Sequence, residues 1–210
     1  MKICINNVTK KIKHREVLRN INLNLESGNI YGFKGVNGSG KTMLMRLICG
    51  LILPTEGEVL IDNKMLGKDI SFPESVGLLL EYPSFVNGYT GFKNLKMIAS
   101  LKNKATDEDI KNAMTKVGLD PNDTRKFKSY SLGMKQKLGI ACAIMENPEL
   151  LILDEPFNAL DEKSVENVKK IIKEYKSDDR IIILSCHDKE ELNELSNEII
   201  DIYEGEIIDK

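Results

Sequence analysis

Gly35-Val36-Asn37-Gly38-Ser39-Gly40-Lys41-Thr42 fits the pattern G-x-x-x-x-G-K-[ST]. In that pattern a glycine-rich turn curls backbone N–H groups around phosphate oxygens, a lysine reaches the terminal phosphates and a hydroxyl ligates Mg²⁺. Gly35, Gly38 and Gly40 supply backbone freedom that a Cβ would forbid. The flanks agree with this reading. Ile30–Phe33 reads as a short buried strand entering the loop, and Met43–Ile48 as a helix leaving it, closed by Gly50. The N-terminus of that helix adds a dipole and free N–H groups, both favourable to anions. The stretch therefore predicts a nucleotide-phosphate site on an α/β scaffold.

Composition narrows the partners. The chain has 210 residues, 41% of them hydrophobic, enough for one domain with a substantial core or one core with a small inserted lobe. Thirty basic residues against thirty-two acidic ones leave a formal net charge of −2, so no global basic field draws nucleic acid or an anionic membrane. Cys4, Cys49, Cys142 and Cys186 are scattered without C-x-x-C pairing, which argues against zinc and against a disulfide framework. They read as reduced, small apolar residues. Met1–Asn7 carries no long apolar stretch, so no secretory signal is expected, and no apolar run approaches the length of a membrane span.

Before the loop, Lys2–Val8 alternates like an edge strand and Glu16–Leu25 like a second strand. After it, Glu56–Lys64 reads as a strand ending in a polar turn, and Val76–Glu81 as a buried strand ending in a carboxylate. From Tyr82 to about Asn147 strand signal fades. Helical stretches replace it at Phe92–Leu101, Asp107–Val117 and Leu132–Met145, and this block, about 82–147, reads as a helical lobe inserted into the core. Leu150–Leu153 and Ile181–Leu184 are strongly buried strands with the helix Lys163–Lys176 between them, and Glu198–Ile208 reads as a hairpin turning at Glu204-Gly205. Alternating β and α elements imply a parallel sheet covered by helices.

Three further segments bear on chemistry. Leu150–Leu153 runs into Asp154-Glu155-Pro156, and two carboxylates ending a buried strand beside a phosphate loop suit two roles. Asp154 positions Mg²⁺ and its waters; Glu155 polarises an attacking water. Ser185-Cys186-His187-Asp188 follows the next buried strand, and parallel strands share one C-terminal rim, so His187 belongs on the rim of Asp154. It reads there either as a γ-phosphate contact or as a satisfied, partly buried histidine. In Tyr130-Ser131-Leu132-Gly133-Met134-Lys135-Gln136, Ser131 caps a helix whose first turn Gly133 keeps bare. Such a terminus suits phosphate oxygens, but for the segment taken alone an ordinary capped helix is the stronger reading.

The order of phosphate loop, Y-S-L-G-M-K-Q, L-L-I-L-D-E-P, N-A-L-D and S-C-H resembles the nucleotide-binding subunit of an ATP-binding cassette (ABC) transporter over essentially the whole chain. The short length and the Y-S-L-G-M form are most similar to ATPases of bacitracin-resistance and lantibiotic-immunity export systems. The resemblance implies one nucleotide-binding domain over residues 1–210, with a P-loop core, an N-terminal antiparallel β subdomain and the inserted helical lobe. It implies ATP and Mg²⁺ as cofactors. Gly35–Thr42 becomes the Walker A loop, with Gly35, Asn37, Gly38, Ser39, Gly40, Lys41, Thr42 and Met43 holding nucleotide. Leu151–Asp154 becomes Walker B, Glu155 the catalytic base, Asn158–Asp161 the D-loop and His187 the switch histidine, with Lys41 and His187 stabilising charge. Ser131 and Gly133, in the signature segment, are expected to close on ATP held by a second copy in a head-to-tail homodimer. Thr42, Asp154 and Glu81 form the expected metal environment. The implied partner is a separate transmembrane permease, with the subunit cytoplasmic and peripheral on the inner face of the plasma membrane, exporting a peptide antibiotic or similar amphipathic substrate.

The sequence departs from the family pattern in three places. Glu81 stands where glutamine is usual, a feature similar to the bacitracin and lantibiotic branch. Ile12 stands near the place of the aromatic that stacks on adenine, with His14 as the nearby ring. Leu132 replaces the first glycine of the signature. A different reading, an ABC-type ATPase acting on ribosomes or DNA, usually brings two joined cassettes or a long coiled coil between Walker A and signature, and the sequence has neither. A GTPase fails because Asn63-Lys64-Met65 is followed by Leu66, where N-K-x-D needs an acid.

Overall fold

The computed structural model describes residues 1–208. Alternation in Lys2–Ile12 (β1) and Arg15–Glu26 (β2) gives each strand one face for the core, and Ile3, Ile5, Val8, Leu18, Ile21 and Leu25 are all buried there. β1 is not the edge strand its sequence suggests. It lies between β2 and Glu56–Ile61 (β4), and the two-residue strand Lys64–Met65 (β5) completes an antiparallel sheet ordered β2-β1-β4-β5. The misleading signal is the polar run through Asn6, Asn7, Lys10 and Lys11. These residues coincide with register shifts in the β1–β2 ladder, so the strand bulges at them and continues.

The second sheet is built from Asn29–Lys34 (β3), Val76–Leu79 (β6), Leu150–Asp154 (β7), Ile181–Ser185 (β8), Glu198–Tyr203 (β9) and Glu206–Ile207 (β10), ordered β10-β9-β3-β8-β7-β6. All pairs are parallel except the β9–β10 hairpin, which turns at Glu204 and Gly205 as expected. β7 and β8 are buried at every residue, which is why they read as unbroken apolar runs. One face of the sheet, with Tyr31, Phe33, Ile152 and Ile183, packs against Lys41–Ile48 (α1) and the antiparallel sheet. The opposite face, with Leu151, Leu153, Ile182 and Leu184, packs against the remaining helices. β6 is an edge strand, half-buried, and ends at Leu79, two residues before the Glu81 that the sequence places at its end; Glu81 has φ +55°.

Gly91–Lys102 (α2), Asp107–Lys116 (α3) and Leu132–Ile144 (α4) lie between β6 and β7, within a block that the sequence reads as helical. Their starts are specified locally. Thr90 and Ser131 each cap a helix, and Thr106 and Asp109 form a reciprocal capping box. α4 also packs directly on the core sheet: a Cβ at Gly77 would stand 1.9 Å from the carbonyl oxygen of Ala143, and one at Gly139 would stand 2.7 Å from Leu79. Glu162–Tyr175 (α5) buries Val168, Ile171, Ile172 and Tyr175 as its apolar spacing predicts. The seven-residue helix Lys189–Leu195 (α6) goes unread in the sequence because only Leu192 and Leu195 mark its inner side. All four cysteines are free, and burial pushes the thiols of Cys142 and Cys186 up to about 12. Among the described residues no helix is long and apolar enough to cross a membrane.

Candidate active site

Three parallel strands end on one rim: β3 delivers the phosphate loop, β7 delivers Asp154 and Glu155, and β8 delivers Ser185 and the segment through His187. The loop is a tight turn. A Cβ at Gly35 would meet the carbonyl oxygen of Ile202 at 2.3 Å and Ser39 Oγ at 2.4 Å, so only glycine fits. Gly40 precedes α1 with φ +115° and offers no side-chain cap, and no intrahelical carbonyl reaches the N–H groups of Lys41, Thr42 and Met43. Ser39 is 2% exposed, and its hydroxyl has no hydrogen-bond partner among the described residues. Bare amides, a positive helix end and an orphaned hydroxyl together fit a bound polyphosphate. Lys41 is buried, and its Nζ donates to the carbonyls of Gly35 at 2.7 Å and Val36 at 3.2 Å. The hairpin turn braces the loop from behind, through an N–H of Gly205 donating to the Ser39 carbonyl at 2.7 Å.

Across the rim, Thr42 Oγ1 donates to Asp154 Oδ2 at 2.6 Å, and Ser185 Oγ donates to Asp154 Oδ1 at 2.5 Å. Both carboxylate oxygens are thereby held in place. Ser185 Oγ also accepts the Glu155 backbone N–H at 3.1 Å, linking the two acids through one buried hydroxyl. Glu155 has φ +52°, a left-handed conformation that costs a glutamate of order 1 kcal/mol and turns its side chain along the rim. Its carboxylate accepts the His187 backbone N–H at 3.2 Å, and His187 Nε2 stands 3.5 Å from the other oxygen. Burial raises the Glu155 carboxyl above its ordinary range; His187 opposes this, Asp154 adds to it and Lys41 opposes it.

A pocket of about 320 Å³ brings together Asn37, Gly38, Lys41, Thr42, Glu81, Asp154 and Glu155. Ser39, Gly40 and Met43 face a neighbouring cleft on the other side of the loop. Glu81 lines the pocket, but its carboxylate is held 2.9 Å from Arg46 of α1 rather than by the Thr42–Asp154 pair. Ser131 and Gly133 are not in the pocket. Ser131 caps α4 through the Met134 N–H at 3.2 Å, and a Cβ on Gly133 would stand 2.8 Å from the Ala159 carbonyl. Three participants are missing from the sequence-based set, Ser185, Arg46 and Gln136, and Asn158, expected there only as the start of the D-loop, also lines the pocket. Gln136 lines it too, and donates to the carbonyls of Glu155 and Pro156 at 2.9 and 3.2 Å. A serine closing the strand beside Asp154 was the available signal for Ser185; nothing in the sequence pairs Arg46 with Glu81.

The profile of the ABC transporter family matches residues 18–158, more than half of the chain and the span from β2 to the segment after Glu155. The chain belongs to the ABC transporter family. It is an ABC ATPase, the ATP-binding subunit of such a transporter. This ABC ATPase is 46% identical to the uncharacterized ABC transporter ATP-binding protein YybJ of Bacillus subtilis, over 96% of this chain and 92% of the relative. It is 35% identical to the lantibiotic transport ATP-binding protein SrtF of Streptococcus pyogenes, over 97% of this chain and 88% of the relative. It is also 35% identical to the bacitracin transport ATP-binding protein BcrA of Enterococcus faecalis, over 97% of this chain and 67% of the relative. Among solved structures, the dimeric structure of MJ0796, a bacterial ABC transporter cassette, superposes with a TM-score of 0.88 at 26% identity, covering 99% of this chain and 97% of that one. The antiparallel sheet, the mostly parallel sheet and the inserted helices of the ABC ATPase are those of this fold.

Proposed function

We propose that this ABC ATPase hydrolyses MgATP to drive a separate transmembrane permease that exports a peptide antibiotic or a similar amphipathic substrate. The observation that carries the hydrolytic part is the meeting of Lys41, Thr42, Asp154, Glu155 and His187 on one rim around the phosphate loop. The loop amides, Ser39 and Lys41 hold the β- and γ-phosphates, with Gly35, Asn37, Gly38, Gly40, Thr42 and Met43 shaping the cradle. Thr42 and Asp154 would hold Mg²⁺, with Glu81 lining the same pocket, and the metal would supply neutralisation of phosphate charge. Glu155 orients the attacking water and takes its proton, a task for which a raised pKa brings it closer to the operating pH. His187 and Lys41 stabilise charge on the γ-phosphate. Ser131 and Gly133 act across a head-to-tail homodimer, on ATP held by the second copy; their separation from this chain's own pocket and the 66% exposure of Leu132 between them support that arrangement.

The whole of 1–210 is read as one nucleotide-binding domain, cytoplasmic and peripheral to the inner face of the plasma membrane, with no nucleic-acid partner. The export reading rests on the relatives named for lantibiotic and bacitracin transport. Its test is protection: cells expressing this subunit with its cognate permease should tolerate more of a lantibiotic or bacitracin than cells carrying Glu155→Gln. Equal tolerance in the two strains overturns the export reading.

A further inference from the structure

The loop separates two hollows that share Asn37, Gly38 and Thr42. The first holds Asp154 and Glu155, so the reacting end of the phosphate chain belongs there. The second is a cleft of about 630 Å³ on the far side, walled by the loop and Met43 and, opposite, by Arg15, Val17 and Tyr203. Phosphates seated on the α1 N-terminus with their reacting end at Glu155 leave the nucleoside one direction to extend, into this cleft.

We propose that Arg15 is the base-stacking residue of the cleft, its guanidinium plane lying on the face of the nucleobase. Arg15 opens β2 directly opposite Ile12, the last residue of β1, and cross-strand partners project from the same face. Of the neighbouring cations, Arg19 pairs with Glu206 and Glu16 and Lys11 with Glu16 and Glu56, while Lys13 does not line the cleft. Arg15 has no ion-pair partner among the described residues. A guanidinium is planar and weakly hydrated and can lie flat on a π system, whereas an ammonium has only a point charge to set over the ring. Stacking reads a π face rather than a base edge, so the site tolerates GTP nearly as well as ATP. This inference rests on the ATP-binding reading above.

Calorimetric titration of the full chain with Mg·ATP, Mg·GTP and Mg·tripolyphosphate tests it. Wild-type Kd values for ATP and GTP should agree within about threefold, and Arg15→Ala should raise both about five- to tenfold while leaving tripolyphosphate unchanged. Arg15→Lys should behave like Arg15→Ala, because it keeps charge and loses the plane. The proposal is overturned if Arg15→Ala leaves ATP affinity intact, if tripolyphosphate weakens equally, if lysine restores binding, or if Tyr203→Ala and not Arg15→Ala causes the loss. Lys41→Ala serves as the reference: it should abolish binding of all three ligands, and its failure to do so would reject the phosphate-loop reading itself, whatever Arg15 does.

Discussion

Lys41 is held by carbonyls of its own loop, and Thr42 and Ser185 fix both oxygens of Asp154, so the charged groups around the loop are oriented by the protein's own hydrogen bonds. Removing the lysine leaves the loop's amides but not the cation: Lys41→Ala should abolish tight ATP binding, and an unchanged Kd for a labelled ATP analogue would refute the assignment. Glu155→Gln keeps shape and loses the base, so it should bind Mg·ATP normally while slowing turnover about 10²–10⁴-fold. The direction of the Glu155 shift has its own readout. A raised pKa means the carboxyl stays protonated to higher pH than its ordinary range, so the ionised base is lost sooner as pH falls. With ¹³C-labelled glutamate, the carboxyl signal missing in Glu155→Gln should titrate above the others; a midpoint at or below them contradicts the burial argument. At this scale the candidate site was most readable where it is built from contiguous residues, as in 35–42 and 154–155. Ser185, Gln136 and Arg46 escaped because each acts on a partner 31, 19 or 35 positions away, a distance that no local pattern encodes.

Among the elements, β6 is the one where packing leaves least tolerance. The obstacle to a Cβ at Gly77 is the backbone of α4 rather than a side chain that could turn away. Gly77→Ala should therefore destabilise by about 3 kcal/mol and lower Tm by roughly 6–12 °C, with an unchanged thermal transition as the contrary result. The same strand leads into Glu81, whose positive φ and ion pair with Arg46 mark the junction between the sheet and the helices that follow. If that junction transmits the nucleotide state to a permease, Glu81→Ala should impair protection in cells more than it slows ATP hydrolysis by the isolated subunit. Full protection in both Glu81→Ala and Glu81→Gln would remove the coupling role. Helix and strand types were readable wherever burial imposes a period, as in α5, or a continuous apolar run, as in β7 and β8. They misled where polar residues mark a bulge rather than an edge, in β1, and where a helix as short as α6 carries only two apolar residues.

For the molecule as a whole, the decisive test is association. With hydrolysis blocked, ATP should hold two copies together: Glu155→Gln with Mg·ATP should elute as a dimer in size-exclusion chromatography, and a strict monomer at high ATP contradicts the head-to-tail arrangement. Adding Ser131→Ala should weaken that dimer, through loss of the helix cap and of the contact across the interface. The α/β class and the covered parallel sheet were readable from alternating elements, but the strand order was not, because it depends on which distant strands meet. That order has a consequence for how the protein is made. β3, which presents the phosphate loop, pairs with β8 on one side and β9 on the other, and the loop itself is braced by Gly205. The ribosome translates the loop early and its supports last, so nucleotide has nothing rigid to bind until the chain has been synthesised past residue 205. A nascent chain stalled before β8 emerges should carry the complete nucleotide motif and no nucleotide.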